Sequence, residues 1–399
     1  MSQYDVIIIG GGASGLMCAG LAAQSGMGVL LLEHNSKWGR KILASGGGNC
    51  NFTNLEVGPG DYQSQNPHFC KSALTRYPAQ SFIDLVESHR VEYYEKKLGQ
   101  LFAGDGAQKI LDLLLAEAQA GGVQMVTGCE ANKVSRTEDG FVVQAGPQSF
   151  EAKNLVLATG GLSYKGLGAS DFGFRVAQQF GLKRVATAPA LVPFLYGGYQ
   201  KLAGLALPVE ITAGNHSFAD DFLFTHLGFS GPAVLKASLY WEPGQSVQID
   251  FLPGAEISEL IAQAKRKGGV KSLGKLLAPL LPAKFIEHWL EKEVVLPPKD
   301  LQNLTQAEIK RLTQAFHAWR FVPQGTEGYK KAEVTKGGID TGDISSKSME
   351  AKSVKGLYLI GELLDVTGLL GGYNFHWAWA SAHAAAQALL ASSDGEAPG

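Results

Sequence analysis

One stretch decides the fold of this chain: Asp5-Val-Ile-Ile-Ile-Gly10-Gly-Gly-Ala-Ser-Gly15. Its first half is a short apolar run that ends in glycine, which is typical of a strand buried in a parallel sheet. Residues 14–25 are rich in alanine and leucine and predict a helix, and the apolar run at 29–32 predicts a second buried strand. The order strand, helix, strand indicates a βαβ unit and hence an α/β fold with a doubly wound parallel sheet.

Three glycines of this stretch have the spacing of a dinucleotide site. Gly10 allows a tight turn, Gly12 lets a pyrophosphate approach the backbone, and Gly15 permits the helix to pack closely on the strand. The helix N-terminus offers N–H donors and the positive end of its dipole. Glu33 ends the second strand and would accept hydrogen bonds from ribose hydroxyls. Since these parts occur in the required order, we predict a Rossmann-like dinucleotide-binding domain rather than a structural loop.

The other end of the chain decides which dinucleotide binds. An apolar run at 356–360 predicts one more buried strand, which leads through Gly361 to Asp365. We expect Asp365 to be an exposed loop acid that accepts hydrogen bonds from ribityl hydroxyls, which NAD lacks. The sequence Gly371-Gly372-Tyr373-Asn374 leads to a predicted helix at 377–391, whose N-terminus could stabilise negative charge on a reduced isoalloxazine ring. These features predict FAD; the alternative is a helix-capping loop and a surface acid.

Composition disfavours several classes of protein. The net charge of −2 and the pI near 6.5 argue against a protein that coats DNA by bulk electrostatics. Four cysteines are scattered without a C-x-x-C pair, so we expect neither a metal site nor a dithiol redox centre. No apolar run reaches the roughly 18 residues of a membrane span, and no basic segment precedes the first strand. We therefore expect a cytoplasmic protein without a membrane partner.

The chain is predicted to fold in three parts. A strand at 155–159 ends in Thr159-Gly160-Gly161, a loop that we expect to pass close to the cofactor. Beyond it, short β-like runs punctuated by glycine and proline give way to an almost continuous helical pattern. The predicted parts are an FAD-binding domain of residues 1–190 and 340–399, an inserted β-rich, barrel-like domain of residues 191–254 and 320–339, and a helical insert of residues 255–319. The polar tail after Ser392 is predicted to be disordered.

With both ends and Leu157-Ala-Thr-Gly160-Gly161 in place, the chain resembles the flavoproteins of the glutathione-reductase structural class. Three longer strings are more specific, and they are Gly39-Arg-Lys-Ile-Leu-Ala-Ser-Gly-Gly-Gly-Asn-Cys-Asn-Phe-Thr-Asn54, Leu223-Phe-Thr-His-Leu-Gly-Phe-Ser-Gly-Pro232 and Ala332-Glu-Val-Thr-Lys-Gly-Gly338. They resemble the bacterial aminoacetone-oxidase-like, or BaiN-type, FAD enzymes. The resemblance implies an FAD domain interrupted by a β-barrel and a helical insert.

The resemblance also implies a set of FAD contacts. They are Ala13, Glu33, Arg40, Lys41, Ser45, Gly46, Gly47, Gly48, Asp365 and Asn374, with a backbone contact from Ala131 to the adenine, where the family more often has valine. We add positions in or beside the glycine loops, which are Ser14, Thr159, Gly160, Gly361, Gly372 and Tyr373. The family commonly has arginine where this chain has Asn49, so the role of that arginine is not carried over.

Few catalytic side chains are required, because a flavin performs hydride chemistry itself. Cys50 is a candidate acid that could protonate a carbon after hydride transfer; the alternative is a buried small hydrophobe. His226 is a candidate acid or substrate anchor, and the alternative is a structural histidine. Tyr164 is the third catalytic candidate. Tyr373 and His376 are of the same kind, and for each of these three the alternative is packing.

Three functions are compatible with these residues. The first is a reductase that passes hydride from NADPH or NADH through FAD to a conjugated C=C bond; no second G-x-G-x-x-G is present to bind the nicotinamide. The resemblance implies uracil in large-subunit ribosomal RNA, reduced to dihydrouridine, or steroid-like enones, and Lys265-Arg-Lys267 and Lys330-Lys331 could contact phosphates. The second is an oxidase of small amines such as aminoacetone. The third is a non-catalytic, flavin-bound RNA or partner binder.

Overall fold

The computed structural model describes residues 3–394 of the chain. They divide into two compact units, the first of which covers the chain up to Pro189 and again from Glu333, and the second Ala190–Ala332. The sequence placed the return to the first domain at residue 340; the chain returns earlier because the strand Val334–Ile339 pairs with Arg184–Ala190. The separation of residues 255–319 as a domain of their own stays a prediction.

The strands are mostly short. In chain order they are β1 Gln3–Ile9, β2 Val29–Leu32, β3 Asn51–Asn54, β4 Tyr62–Gln63, β5 Tyr93–Glu95, β6 Gln100–Ala103, β7 Gln124–Val126, β8 Lys133–Arg136, β9 Phe141–Ala145, β10 Gln148–Leu157, β11 Arg184–Ala190, β12 Phe194–Leu195, β13 Ala206–Ala213, β14 His216–Phe224, β15 Gly228–Ser230, β16 Val247–Asp250, β17 Trp319–Phe321, β18 Gly325–Thr326, β19 Val334–Ile339, β20 Leu357–Leu359 and β21 Thr367–Gly368.

The α-helices differ widely in length. In chain order they are α1 Ala13–Gln24, α2 Arg40–Ala44, α3 Lys71–Arg76, α4 Ala79–Ser88, α5 Ala107–Ala120, α6 Phe172–Gln179, α7 Pro232–Tyr240, α8 Ile257–Lys267, α9 Leu273–Leu277, α10 Ala283–Trp289, α11 Gln306–His317 and α12 Tyr373–Asp394. The closing helix α12 begins at Tyr373 rather than at 377, directly after the glycine pair. The tail after Ser392 was predicted to be disordered; its first two residues belong to α12, and those beyond Asp394 lie outside the described residues.

The first unit is built on a parallel sheet. Its central strands follow the order β7, β2, β1, β10 and β20, and each neighbouring pair is parallel. Strand β10 is long, and its first half pairs antiparallel with β9, which pairs with β8. The apolar run of β2 is buried along its whole length because α1 packs on β1 and β2 and contacts α5 and α12. The α/β fold predicted from the sequence is confirmed.

The second unit is built on an antiparallel sheet with the strand order β17, β16, β13, β14, β15, β12 and β18. The first and last strands of this order are consecutive in sequence and are separated by residues 322–324. The sheet must therefore curve until its two edges approach each other, as expected of a barrel-like domain. Helices α8 to α11 lie between β16 and β17 in sequence, and Phe285 and Trp289 join the core that contains Phe251.

Candidate functional site

Three glycine loops meet at one edge of the sheet in the first unit. The parallel strands β1, β10 and β20 lead at their C-terminal ends to Gly10, Gly160 and Gly361. The Ala158 N–H donates to the Ile9 carbonyl oxygen at 2.9 Å, which holds the first two loops together. In open α/β sheets, ligands bind outside the carboxyl ends of the strands. The glycine motifs, although distant in sequence, therefore form one candidate site.

The glycines of the first loop serve two different purposes. A Cβ atom added to Gly15 would overlap the Gly10 carbonyl oxygen, and one added to Gly10 would overlap the Ala158 carbonyl oxygen. These two positions need glycine because the protein's own backbone is too close. A Cβ atom on Gly12 would meet nothing within 4 Å, and its φ of −89° suits any residue. Glycine at position 12 is thus not required by the fold. The free space beside it is what we expect if a pyrophosphate binds there.

The N-terminus of α1 is suited to an anion. Gly12 is its N-cap, no side chain caps it, and its first turn contains Ala13 and Ser14 but no acidic residue. The first amides of a helix lack intrahelical acceptors and carry the positive end of the dipole. The Ser14 Oγ lies 2.7 Å from the position of a Cβ atom on Gly361, so the helix start lies against the third glycine loop.

Glu33 is buried and held by donors on both oxygens. Its Oε2 accepts from the Gly11 N–H at 2.8 Å, and its Oε1 accepts from the backbone N–H and the Nδ2 of Asn35 at 2.8 and 2.7 Å. Arg40 in turn donates to the Asn35 Oδ1 at 2.9 Å. Each carboxylate oxygen has more than one lone pair, so a ribose hydroxyl can still be accepted. The sequence prediction missed Asn35, although its position two residues after the acid was a local signal.

Lys41 and Tyr164 both contact carboxylates. The Lys41 Nζ lies 2.5 Å from the Glu362 Oε2, and the Tyr164 hydroxyl donates to Glu333. Burial raises the pKa of Tyr164 and of Glu333. Arg40 donates at 2.9 Å to a carbonyl oxygen in the loop that follows Tyr164. The loop with Tyr164 is therefore bonded to the segment that holds Glu33. The catalytic role of Tyr164 stays a prediction.

The loop after α2 leaves its backbone open. Gly46, Gly47 and Gly48 have φ values of +57°, +67° and +93°. A Cβ atom on Gly46 would lie 3.0 Å from the Phe102 ring, whereas one on Gly47 or Gly48 would meet nothing within 4 Å. The Ser45 hydroxyl donates to a carbonyl oxygen of α2 at 2.7 Å and so fixes the start of the loop. Such a backbone permits the close approach of a flat ring.

Cys50 follows this loop and is enclosed by protein. Its exposed fraction is 0%, and its thiol hydrogen-bonds to Ser45. Burial raises the pKa of the Cys50 thiol to about 12, so the thiol is neutral. Its φ of +46° is unusual for a residue other than glycine. Because no part of the thiol reaches the surface, its burial favours the structural alternative, and the catalytic role stays a prediction.

Asp365 differs from the exposed loop acid that the sequence predicted. It is 4% exposed, and its Oδ2 accepts from the Gln65 N–H at 2.9 Å and from the Ser64 hydroxyl at 3.5 Å. The expectation of an exposed acid is therefore wrong, because β21 pairs with β4 and brings this distant segment over the carboxylate. Burial raises the pKa of Asp365. Its Oδ1 has no hydrogen bond to a described residue, and its role towards the ribityl chain stays a prediction.

Two residues at the start of α12 have different roles. Asn374 holds the preceding loop, whereas the Tyr373 hydroxyl makes no hydrogen bond within the described residues. The Asn374 amide bonds to both backbone groups of Gly368, at 2.9 and 2.8 Å, and so shapes the preceding loop. The Tyr373 carbonyl oxygen accepts from the Tyr62 hydroxyl at 2.9 Å. Burial raises the pKa of Tyr373 to about 12, and within residues 3–394 its hydroxyl has no hydrogen-bond partner. A Cβ atom on Gly372 would overlap the backbone of β3.

Side chains of β3, which ends the family string Gly39–Asn54, bond to the C-terminal loop and to the start of α12. The Asn54 Nδ2 donates to the Gly371 carbonyl oxygen at 3.0 Å. His376 is fully buried, with its Nδ1 2.9 Å from the Thr53 Oγ1 and its Nε2 3.0 Å from the Tyr77 carbonyl oxygen. Burial lowers the pKa of His376 to about 4, so the ring is neutral. These bonds favour packing, which was the alternative given by the sequence, and a catalytic role of His376 stays a prediction.

Thr159 and Ala131 present polar groups without partners. The Thr159 Oγ1 is buried and has no hydrogen-bond partner among the described residues, which is costly unless a ligand supplies one. The adjacent Gly160 has a φ of +70°, and a Cβ atom there would meet nothing within 4 Å. Ala131 is 6% exposed, and no hydrogen bond joins its backbone to another residue of the described chain. Both positions fit contacts to a bound nucleotide.

His226 belongs to the second unit. It is exposed in the turn between β14 and β15, where the Thr225 N–H donates to the Gly228 carbonyl oxygen at 2.8 Å. The prediction that His226 faces the flavin stays a prediction. No cluster of His, Cys, Asp or Glu suited to a metal ion occurs between residues 3 and 394. In the same part of the chain, no helix has both the length and the apolar character needed to cross a membrane.

The residues of the first unit fit FAD. The uncapped start of α1, the open positions at Gly12, Gly47 and Gly160, and the orphaned hydroxyl of Thr159 all leave polar or open space where a dinucleotide would lie. When bound, FAD supplies hydride transfer. The sequence prediction missed Gln65, which holds Asp365, since no local signal marks a partner 300 residues away.

The chain is similar to proteins of known name over nearly its whole length. A family model described as the HI0933-like protein Rossmann domain matches residues 4–388. The chain is 49% identical to the ribosomal RNA dihydrouridine synthase of Haemophilus influenzae, over 98% of this chain and 99% of that protein. It is 32% identical to the 3-dehydro-bile acid delta(4,6)-reductase of Clostridium scindens, over 96% of this chain and 98% of that protein.

The fold is also similar to a solved structure. The crystal structure of the 3-ketosteroid-delta4-(5alpha)-dehydrogenase from Rhodococcus jostii, in complex with 4-androstene-3,17-dione, matches with a TM-score of 0.50 and covers 97% of both chains. The sequence identity is 15%, so this likeness concerns the fold alone.

Proposed function

Because this chain belongs to the HI0933-like Rossmann-domain family and is an FAD-dependent oxidoreductase, we propose that it reduces uridine in ribosomal RNA to dihydrouridine. The observation that carries the proposal is the likeness to the Haemophilus influenzae synthase, which extends over 98% of the chain and therefore over both units. The bile acid reductase is also similar over nearly the whole chain, but at lower identity. Both names describe an enzyme that adds hydrogen to a C=C bond conjugated to a carbonyl group.

The proposed reaction adds one hydride and one proton to the ring C=C bond of uracil. NADPH or NADH is oxidised and supplies the two electrons and one hydrogen, and an acid supplies the proton. Bound FAD would supply the two-electron transfer between the nicotinamide and the substrate. The chain has no second G-x-G-x-x-G, so the nicotinamide would reach the flavin without a Rossmann domain of its own. We place the reaction in the cytoplasm and, as the family resemblance implies, on the large ribosomal subunit.

The acid must be neutral at physiological pH and must be able to reach the substrate. Cys50 meets the first requirement but is fully enclosed. Tyr373 is half-buried, its hydroxyl has no partner among residues 3–394, and Asp61 and Glu56 beside it help burial to raise its pKa. A phenol in this state holds its proton until a carbanion develops nearby. We therefore expect Tyr373 to be the better acid of the two.

Anaerobic mixing tests the reductive half of the proposal. The FAD-loaded protein is mixed with NADPH, with NADH and with aminoacetone, and the flavin absorbance is followed. We expect rapid bleaching with one or both nicotinamides and none with aminoacetone. Bleaching by aminoacetone alone would support the amine oxidase instead, and no bleaching with any donor would support the non-catalytic binder.

Mapping of dihydrouridine tests the substrate. Ribosomal RNA from cells that lack the protein is compared with RNA from cells that carry the wild-type gene or the Gly12→Val variant. We expect one dihydrouridine position to be lost in the deletion strain and restored only by the wild-type gene. An unchanged profile, together with nicotinamide-dependent bleaching in vitro, would redirect the proposal to a small conjugated enone.

A further inference from the structure

The largest one-sided charge feature outside the candidate site lies in the second unit. Between Lys265 and Lys284 the chain has six basic residues and no acidic residue, although its net charge is −2. This stretch, residues 265–284, is called the basic segment here. It contains the end of α8, the whole of α9 and the start of α10.

Five of the six cations of the basic segment are exposed and unpaired, whereas Lys265 is half-buried and donates to the Leu304 carbonyl oxygen. The exposed ones are Arg266, Lys267, Lys271, Lys275 and Lys284. In the part of the chain that the structure describes, none of these five side chains forms an ion pair with a carboxylate. Elsewhere in the same unit, Lys236 lies 2.7 Å from Asp220, and Lys299 lies 2.5 Å from Glu308. The unit thus pairs some of its lysines internally and leaves those of the basic segment available.

Helix stability accounts for only part of this arrangement. Cations at the C-terminal turns of α8 and α9, such as Lys267 and Lys275, are favourable to the helix dipole. Lys271, however, directly precedes Ser272, the N-cap of α9, and Lys284 lies in the first turn of α10. A positive charge at the start of a helix opposes the dipole. The basic segment therefore keeps two cations, Lys271 and Lys284, at positions where they do not stabilise its own helices.

The segment is nevertheless held firmly in place. Leu277 is fully buried, and Leu273 and Leu281 are less than a tenth exposed. The Ser272 side chain caps α9 by accepting from the Lys275 N–H at 3.3 Å. The buried leucines anchor one side of the segment, so its lysines and arginine are held on a packed surface rather than on a loose tail.

We propose that the basic segment binds the phosphate groups of the RNA substrate. This inference rests on the proposed function, because it is the expected substrate that selects RNA from among polyanions. Lysine and arginine side chains without a carboxylate partner can bind a phosphate without first losing an ion pair, and the counterions released from RNA drive the association. Phosphate contacts position a nucleic acid and do not select its sequence. The basic segment would then bring RNA to the enzyme, and the flavin site would select the uracil.

The test compares two variants with equal loss of charge. The first carries Arg266→Gln, Lys267→Gln, Lys271→Gln and Lys275→Gln. The control carries Lys71→Gln, Lys109→Gln, Lys347→Gln and Lys355→Gln, which are exposed lysines of the first unit. Binding of the FAD-loaded proteins to a fluorescent transcript of large-subunit ribosomal RNA is measured by anisotropy at several salt concentrations, without a nicotinamide.

We expect the first variant to bind RNA about 10- to 100-fold more weakly than wild type near 0.1 M salt. The slope of log affinity against log salt should become shallower by about 3, since each phosphate contact contributes roughly 0.7 to 0.9. The control should bind like wild type, and both should keep the FAD content and the rate of flavin reduction by NADPH. This result would support the proposal.

Two outcomes would overturn it. One is a first variant with unchanged RNA affinity and unchanged salt slope. The other is wild-type protein that ignores RNA but binds vesicles of phosphatidylglycerol through the same four residues, which would identify a membrane surface as the partner. Failure of the proposed function gives a different result, because wild type would then bind RNA with the predicted salt slope but form no dihydrouridine when NADPH is added.

Discussion

The two ends of the candidate FAD site are built in different ways. In the first glycine loop, residues 10–15, the chain relies on backbone shape, and Gly15 is required because it lies against the Gly10 carbonyl oxygen. In the C-terminal loop, residues 361–376, it relies on side chains that bond to distant segments, as Asp365 does with Gln65. Regular spacing therefore predicts a local backbone shape, whereas a residue held by a remote partner can be assigned only from the folded chain.

Gly15→Val should have the largest effect. The valine side chain would overlap the Gly10 carbonyl oxygen inside a buried helix–strand contact, and neither backbone can move freely. We expect a loss of at least about 3 kcal/mol in the free energy of unfolding. Thermal unfolding followed by circular dichroism measures this loss. A melting temperature equal to that of wild type would contradict the close contact on which the comparison rests.

Gly12→Val should abolish FAD binding while leaving the fold intact. A side chain there meets open space in the protein but occupies the expected place of the pyrophosphate. We expect affinity for FAD to fall at least about 1,000-fold, with the unfolding of the FAD-free protein unchanged. Flavin fluorescence titration and thermal unfolding are run on the same preparation. If Gly12→Val and Gly15→Val both unfolded the protein, or if both bound FAD, the distinction would be wrong between Gly15, which the fold requires, and Gly12, which the cofactor requires.

The same contrast explains how much the sequence could predict. The βαβ unit and the FAD loops follow from apolar runs and from glycines at fixed intervals, because both depend on neighbours in the chain. The sequence could not show that Asp365 is covered by Gln65 or that His376 bonds to Thr53, since these partners are about 300 residues away in the chain. The early return to the first unit was missed for the same reason, because it depends on the pairing of β19 with β11.

His376→Asn should change how stability depends on pH. Burial lowers the pKa of His376 to about 4, whereas an unfolded histidine titrates near 6.5. The stabilisation is therefore fully present above about pH 6.5 and is lost as the pH falls towards 4, which amounts to about 3 kcal/mol. We expect the variant, although less stable at pH 7, to lose less stability between pH 7 and pH 4.

Urea unfolding of the FAD-free protein at several pH values measures this dependence. The control is His68→Asn, which removes an exposed histidine of the same unit and should keep the wild-type pH dependence. Parallel curves for wild type and His376→Asn would mean that His376 does not resist protonation in the folded chain. The buried side chains of the C-terminal loop would then contribute less to the free energy of unfolding than we expect.

Asp365→Ala should affect both stability and FAD binding. Removing the carboxylate leaves the Gln65 N–H without its acceptor, which costs about 1 to 2 kcal/mol of the free energy of unfolding. If Oδ1 also accepts from the ribityl chain, affinity for FAD should fall about 10-fold. Asp365→Asn retains an acceptor for Gln65 and should recover most of the stability. A flavin titration in which Asp365→Ala binds FAD like wild type would limit Asp365 to holding the loop together.

Cys50→Ala should have the smallest effect, and it tests the loop that contains the open glycines. The thiol is fully enclosed and cannot reach the substrate, so its replacement should remove packing rather than chemistry. We expect a loss of about 1 kcal/mol in stability and unchanged rates of flavin reduction by NADPH and of reoxidation by RNA.

Tyr373→Phe, measured alongside, should leave reduction unchanged but slow reoxidation by roughly 100-fold or more, because it removes the expected acid. Stopped-flow absorbance separates the two half-reactions. If Cys50→Ala alone slowed reoxidation, the proton would come from the glycine-rich loop, and the thiol would have to become accessible during turnover.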